Sequence, residues 1–165
     1  MADVTFQKSP AHTIGELPAH GQTIPPFELV GSKLNPLTDK DFEGKKLVLS
    51  FFPSIDTAVC AASVRAFNGK AAGVEDTVVL CISNDLPFAQ ARFCGAEGIE
   101  NVVTGSAFRS SFGKDYGVTL ADTPLEGLLS RGVIVTDANH TVVYSELVPE
   151  ITDEPDYDAA IDALN

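Results

Sequence analysis

The sequence predicts an α/β fold: a parallel βαβ core closed by an antiparallel hairpin, with helices on both faces of a central mixed sheet. Three observations predict it. Lys46–Phe52 (KLVLSFF) is a nearly continuous apolar run, as expected of a strand covered on both faces. The pattern then changes to helical spacing, with Val59, Ala62, Ser63, Ala66 and Phe67 on one face, before a second buried strand at Asp76–Ser83. Such a strand–helix–strand unit of about 38 residues implies parallel pairing through a right-handed crossover. Finally, Gly132–Thr136 and Thr141–Glu146 flank Asp137-Ala138-Asn139-His140, a strong hairpin signal.

The remaining elements follow in chain order. Val4–Gln7, the turn signal Lys8-Ser9-Pro10 and a return strand near His12–Ile14 predict an N-terminal β-hairpin. Phe27–Val30 follows Pro25-Pro26 and reads as a strand. Asn35-Pro36 offers a turn, and Thr38 a cap for a short helix. Asp85-Leu86-Pro87 opens another helix, with Asp85 as N-cap, Pro87 in the first turn and Gly95 as its stop. Asn101–Thr104 is a short strand and Ala107–Tyr116 is helical. The acidic tail ends in a helix that places Tyr157, Ile161 and Leu164 on one side, with Pro155 at its first turn. These pieces resemble the thioredoxin-like plan, although other α/β folds share them.

Composition limits the function classes. The chain has 165 residues, 44% of them apolar, and shows no repeat, low-complexity tract or linker, so one domain over residues 1–165 is expected. Its net charge of −12 repels phosphate backbones and argues against nucleic-acid binding. No apolar run approaches the roughly 20 residues that cross a bilayer. The N-terminus carries acids and a proline where a signal peptide is basic and then apolar. A cytoplasmic location is the expectation, with the periplasm left open. Three cysteines are too few, and odd in number, for a secreted disulfide scaffold.

Cys60 lies just past a strand end, in the first turn of a helix, behind Ser54, Asp56 and Thr57 as candidate caps. Free N–H groups and the helix dipole stabilise an anionic sulfur at such a place. Packing at a helix start is the plainer alternative. Cys81 sits inside Val78-Val79-Leu80-Cys81-Ile82, where burial raises a thiol's pKa and leaves it inert. Cys94 closes a short helix before Gly95, and a helix of that length depends on packing and can melt locally. Arg131 leads from Leu128-Leu129-Ser130 into a buried strand, where it must reach solvent or find a partner, and a thiolate would suit it.

Other chemistry lacks its motifs. There is no Cys-x-x-Cys, glycine-rich phosphate loop or Gly-x-Ser-x-Gly. His12, His20 and His140 share no ligand spacing and read as solvated turn residues, so neither a metal nor a cofactor is expected.

Pro53-Ser54-Ile55-Asp56-Thr57-Ala58-Val59-Cys60 fits the Pro-x-x-x-Thr-x-x-Cys signature of the peroxiredoxins. The strings FFPSIDTAVCAASVRAFN and VVLCISNDLPFAQARFCGAEG, with the tail PEITDEPDYDAAIDAL, resemble the bacterial thiol peroxidase branch over essentially the whole chain. Ala58 departs from the proline or glycine more common there, at a position without side-chain chemistry. The resemblance implies a thioredoxin fold and reduction of hydrogen peroxide and organic hydroperoxides. It implies Cys60 as the peroxidatic cysteine, Cys94 as the resolving one, and Thr57 and Arg131 completing the site, with Pro53 shielding the sulfur from water. It gives Cys81 no catalytic part. Thioredoxin as reductant and a homodimer are implied as well. Two rivals are a non-catalytic redox sensor of the same fold and an interaction domain whose cysteines only pack.

Overall fold

In the computed structural model, which describes residues 1–71 and 74–165, the βαβ unit is the centre of the molecule. Strand β5 (Lys46–Phe51) leads to helix α1 (Ala58–Ala71), which crosses back to β6 (Thr77–Ser83), parallel to β5. Strand β7 (Val103–Ser106) pairs parallel to β6 beyond it. On the other side β8 (Gly132–Thr136) runs antiparallel to β5 and forms a hairpin with β9 (Val142–Leu147). Strands β3 (Glu28–Gly31) and β4 (Pro36–Thr38) complete the far edge. Among the described residues the sheet has seven strands, in the order β4-β3-β7-β6-β5-β8-β9. A separate hairpin, β1 (Asp3–Phe6) and β2 (Ser9–His12), precedes it. This is the thioredoxin-like fold.

Strand alternation sorts the core into two layers. Leu47, Leu49 and Phe51 of β5 join Leu80 and Ile82 of β6 on one face, under Phe112 and Tyr116. Val48, Val79 and Cys81 point to the other face, against Val64 and Phe67 of α1 and Ala160 of the C-terminal helix α4 (Tyr157–Asp162). Each fully buried large side chain contributes about 1.5–3 kcal/mol, which is why β5 is apolar without a break. Helix α2 (Pro87–Glu97) packs on β7 through the α1 face, where Phe93 reaches the core, whereas the short α3 (Phe112–Asp115) lies on the opposite face. Helices therefore flank both sides of the sheet.

Several expected elements shift. The first hairpin turns at Gln7-Lys8 rather than at Lys8-Ser9-Pro10, with Phe6 opposite Ser9 in register. Both turn residues have positive φ (51° and 69°), the two-residue geometry whose twist matches paired strands. Pro36 begins the edge strand β4, where a missing N–H is tolerated, and Thr38 then caps a 3₁₀ turn, Asp39–Phe42. The predicted strand at 101–104 starts later, because the Asn101 backbone N–H donates instead to Asn68 Oδ1 (2.7 Å). Of the helix expected over 107–116 only Phe112–Asp115 forms. Its first residues are held in the loop leaving β7, where Ala107 N donates to Ser83 O (2.8 Å).

Helix α2 differs most. Leu86, not Asp85, is its N-cap, with Pro87 at the first helical position. Gly95 lies inside it, and Gly98 ends it in a left-handed conformation (φ 66°) that glycine adopts without strain. Two histidines are also more structured than expected. His12 lies in β2 with Nδ1 2.7 Å from Asp122 Oδ2, and His140 is buried with Nε2 3.0 Å from the Phe42 carbonyl oxygen. His20 remains exposed, as expected.

Candidate active site

The chain leaves β5 through Pro53 and reaches α1 five residues later, and this short loop builds the site. Thr57 is the cap that the structure selects from the three candidates. Its hydroxyl oxygen accepts from Cys60 N (3.3 Å), while its own proton is donated to Ser54 O (3.0 Å). Cys60 is thus the third helical residue, in the first turn where backbone N–H groups are unpaired within the helix, and its side chain is wholly buried. Burial protects the sulfur from bulk water, and the loop above it sets what can approach.

Arg131 enters from the residue before β8 and is itself buried. Its Nη2 donates to Cys60 Sγ at 3.1 Å, and its Nε donates to the Ile151 carbonyl at 2.6 Å. Nη1 is buried without a hydrogen-bond partner among the described residues. A buried guanidinium with one free donor next to a sulfur is charged and directional, and it favours an anion there. The next residue must be glycine, because a Cβ at Gly132 would strike the Phe51 ring and the Glu146 carbonyl. Sheet packing therefore fixes where the arginine enters.

The loop has a support that the sequence reading misplaced. Asp85, expected to cap α2, turns its carboxylate toward the loop instead. It accepts from Ser54 Oγ (2.8 Å), Ile55 N (2.7 Å) and Ser83 Oγ (2.6 Å). Gln90, buried in α2, continues the network to Ser83 Oγ (3.0 Å) and the Gly105 carbonyl (3.1 Å). The available signal was a run of polar residues, Ser83-Asn84-Asp85, closing an otherwise apolar strand.

A cleft of about 310 Å³ is lined by Thr57 and Arg131, both hydrogen-bonded to the enclosed Cys60, together with Pro53, Phe6, Leu128 and Ile151. Four of the five residues singled out from the sequence, Pro53, Thr57, Cys60 and Arg131, are thus brought together. Cys94 is not among them. It is half-buried and borders a separate cleft with Gly31, Leu37 and Thr104. All three cysteines are free thiols. Burial pushes the Cys81 thiol far up, with nearby Cys94 adding to the effect, and burial also raises Cys94. Among the described residues no cluster of His, Cys, Asp or Glu could hold a metal, and no helix is long and apolar enough to cross a membrane.

A thiol capped by a helix N-terminus and paired with a buried arginine, on a thioredoxin-like sheet, defines a class of thiol-based oxidoreductase. Comparison with known proteins narrows it. The Redoxin family model matches residues 19–161. The chain is 58% identical to a thiol peroxidase of Corynebacterium glutamicum over 165 residues, covering 100% of both chains. It is 55% identical to a thiol peroxidase of Mycobacterium tuberculosis over 164 residues, covering 99% of each. Among solved structures it resembles a peroxiredoxin-like protein from Aquifex aeolicus, with TM-score 0.92, 35% identity and coverage of 98% and 95%. A thiol peroxidase from Chromobacterium violaceum superposes with TM-score 0.88 at 26% identity, covering 95% and 91%. The chain belongs to the redoxin family and, within it, to the bacterial thiol peroxidases. It is a peroxidase, and its family implies peroxide substrates.

Proposed function

We propose that Cys60 is the peroxidatic cysteine and that residues 1–165 act as one catalytic domain reducing hydrogen peroxide and organic hydroperoxides. The Cys60 thiolate attacks the terminal peroxide oxygen in line with the O–O bond. The S–O bond forms as the O–O bond breaks, leaving a sulfenic acid and an alkoxide or hydroxide that takes up a proton. The observation that carries this reading is Arg131, with one nitrogen 3.1 Å from the sulfur and another buried donor unused. The unused N–H meets the oxygen on which charge develops, and donors placed there lower such a barrier. Thr57 gives its proton to Ser54, so toward the substrate it acts as an acceptor and orients the peroxide O–H. Pro53, buried at the floor of the cleft, keeps water from the sulfur. The largely apolar lining suits organic hydroperoxides as well as hydrogen peroxide.

Cys94 then resolves the sulfenic acid: its sulfur displaces water and forms a Cys60–Cys94 disulfide. Cys60 is enclosed beside Arg131 whereas Cys94 borders a separate cleft, so the Leu86–Gly98 segment has to open for them to meet. Only Pro87 and Gln90 of α2 are buried, which makes that opening inexpensive. Thioredoxin returns the disulfide to two thiols, completing a cytoplasmic antioxidant cycle without a bound cofactor. A homodimer is supported by the exposed Leu86 and Phe88 at the start of α2 and Phe108 in the loop after β7, two segments joined where the Ser106 hydroxyl donates to the Asp85 carbonyl.

The test is peroxide consumption with thioredoxin, its reductase and NADPH, comparing wild type with Cys60→Ser and Cys94→Ser. Cys60→Ser should abolish turnover, and Cys94→Ser should react once and stop. If the wild type forms the disulfide without turning over, thioredoxin is not the donor. An unreactive Cys60 would remove the mechanism altogether.

A further inference from the structure

One wall of the cleft beside Thr57 and Arg131 is held by a residue outside the reacting group. Phe6 and Gln7 contribute to that wall from the tip of the β1–β2 hairpin. Gln7 and Lys8 both sit at positive φ, which L side chains avoid, so the turn needs outside help to persist. The help comes from Glu150. Its Oε1 accepts from Lys8 N (2.7 Å) and the Thr5 hydroxyl (2.9 Å). Its Oε2 accepts from Gln7 N (3.2 Å), Thr152 N (3.0 Å) and the Thr152 hydroxyl (2.8 Å). One carboxylate thus joins both turn amides to the loop that carries Ile151 and Thr152 into the same cleft.

We propose that Glu150 is a positioning residue that determines selection among hydroperoxides, by fixing the hairpin tip as the wall against which a substrate's hydrocarbon group packs. Hydrogen peroxide has no such group and needs only Arg131 and Thr57. The partner that holds Arg131 is anchored separately. Ile151 N donates to Thr5 O (2.8 Å) and Thr5 N to Pro149 O (2.7 Å), so the carbonyl that orients Arg131 keeps its place without the carboxylate. The proposal rests on Cys60 being the reacting thiol beneath this cleft.

Glu150→Gln isolates the effect, because the amide keeps the shape but turns an N–H₂ group toward backbone or hydroxyl donors on one side. The experiment is stopped-flow oxidation of Cys60 by cumene hydroperoxide and by hydrogen peroxide. In Glu150→Gln the cumene hydroperoxide rate constant should fall about tenfold, the scale of a lost apolar contact, with hydrogen peroxide within about twofold. Adding Gln7→Asn and Lys8→Gly, which favour this turn intrinsically, should restore the ratio of the two rates. Equal losses with both peroxides, no loss with either, or a ratio that the turn replacement leaves unchanged would each overturn the proposal. Should Cys60→Ser still react with hydrogen peroxide, the underlying assignment of the thiol fails instead.

Discussion

Arg131 carries more of the site than any other single side chain. Its fork reaches the Ile151 carbonyl, the Cys60 sulfur and the cleft at once, and an ammonium on a flexible stem cannot. Arg131→Lys is therefore expected to slow Cys60 oxidation by about 10²–10³, the usual loss when a transition-state donor is removed. Rapid-mixing kinetics under single-turnover conditions measure this directly, and a rate within a few fold of wild type would take Arg131 out of the chemistry. The sequence showed only an arginine entering a buried strand, with solvent and a thiolate as alternative partners. Asp85 was harder to place. Its position before Leu86-Pro87 looks like a cap, and only folding brings the 53–57 loop within reach of its carboxylate.

Between elements, the contact of α1 with α2 opposes the opening of α2 that the proposed cycle requires. Arg65 of α1 makes a forked pair with Glu97 of α2 (3.0 and 3.3 Å) and lies over the Phe93 ring at 5.8 Å. One turn on, Asn68 Oδ1 accepts from Glu100 N and Asn101 N (3.2 and 2.7 Å). The ion pair is half exposed, so solvent screening keeps its contribution small. Arg65→Ala should accordingly speed disulfide formation after oxidation by about 1.5- to 5-fold. Quench and alkylation of Cys94 at timed intervals would follow it, and an unchanged or slower rate would mean that opening of α2 does not limit resolution. Helix α2 was legible as a helix but not in extent. Gly95 and Gly98 are both possible stops, and the choice depends on tertiary contacts at the later turn.

At the scale of the whole molecule, the N-terminal hairpin is tied to the main body by ionisable groups, which makes its attachment depend on pH. The hydrogen bond to Asp122, joined by the charges of Asp122 and Asp3, raises His12 above its ordinary 6.5 despite some desolvation, and the same hydrogen bond lowers Asp122 below 3.8. His12 thus binds its proton more tightly when folded. Its contribution is complete below pH 6.5 and is lost as pH rises through the raised value. The Asp122 contribution has the opposite sense, being complete above 3.8 and lost in acid. Glu150 behaves like Asp122: N–H groups of Thr152 and Lys8 hold it at about 2, so its stabilisation is present above 4.5 and fades toward 2. Urea unfolding of wild type and His12→Gln should differ most near pH 5–6 and converge as pH rises past the His12 midpoint. A difference that stays constant to pH 9 would show that the ion pair does not contribute to stability.

By itself the sequence determined the sheet centre, the crossover, the C-terminal hairpin and the loop that leads into Cys60. These are encoded locally, by nearly continuous apolar runs, helical spacing, a turn signal and candidate caps just ahead of Cys60. Tertiary structure decided the turn of the first hairpin, the end of α2, the strut from Asp85 and the hold of Glu150 on the hairpin tip. Each of these depends on a carboxylate or amide meeting partners from distant segments, in Glu150's case more than 140 positions away. Hydrophobic periodicity records which face of an element is buried, but not which polar group on another segment will complete it.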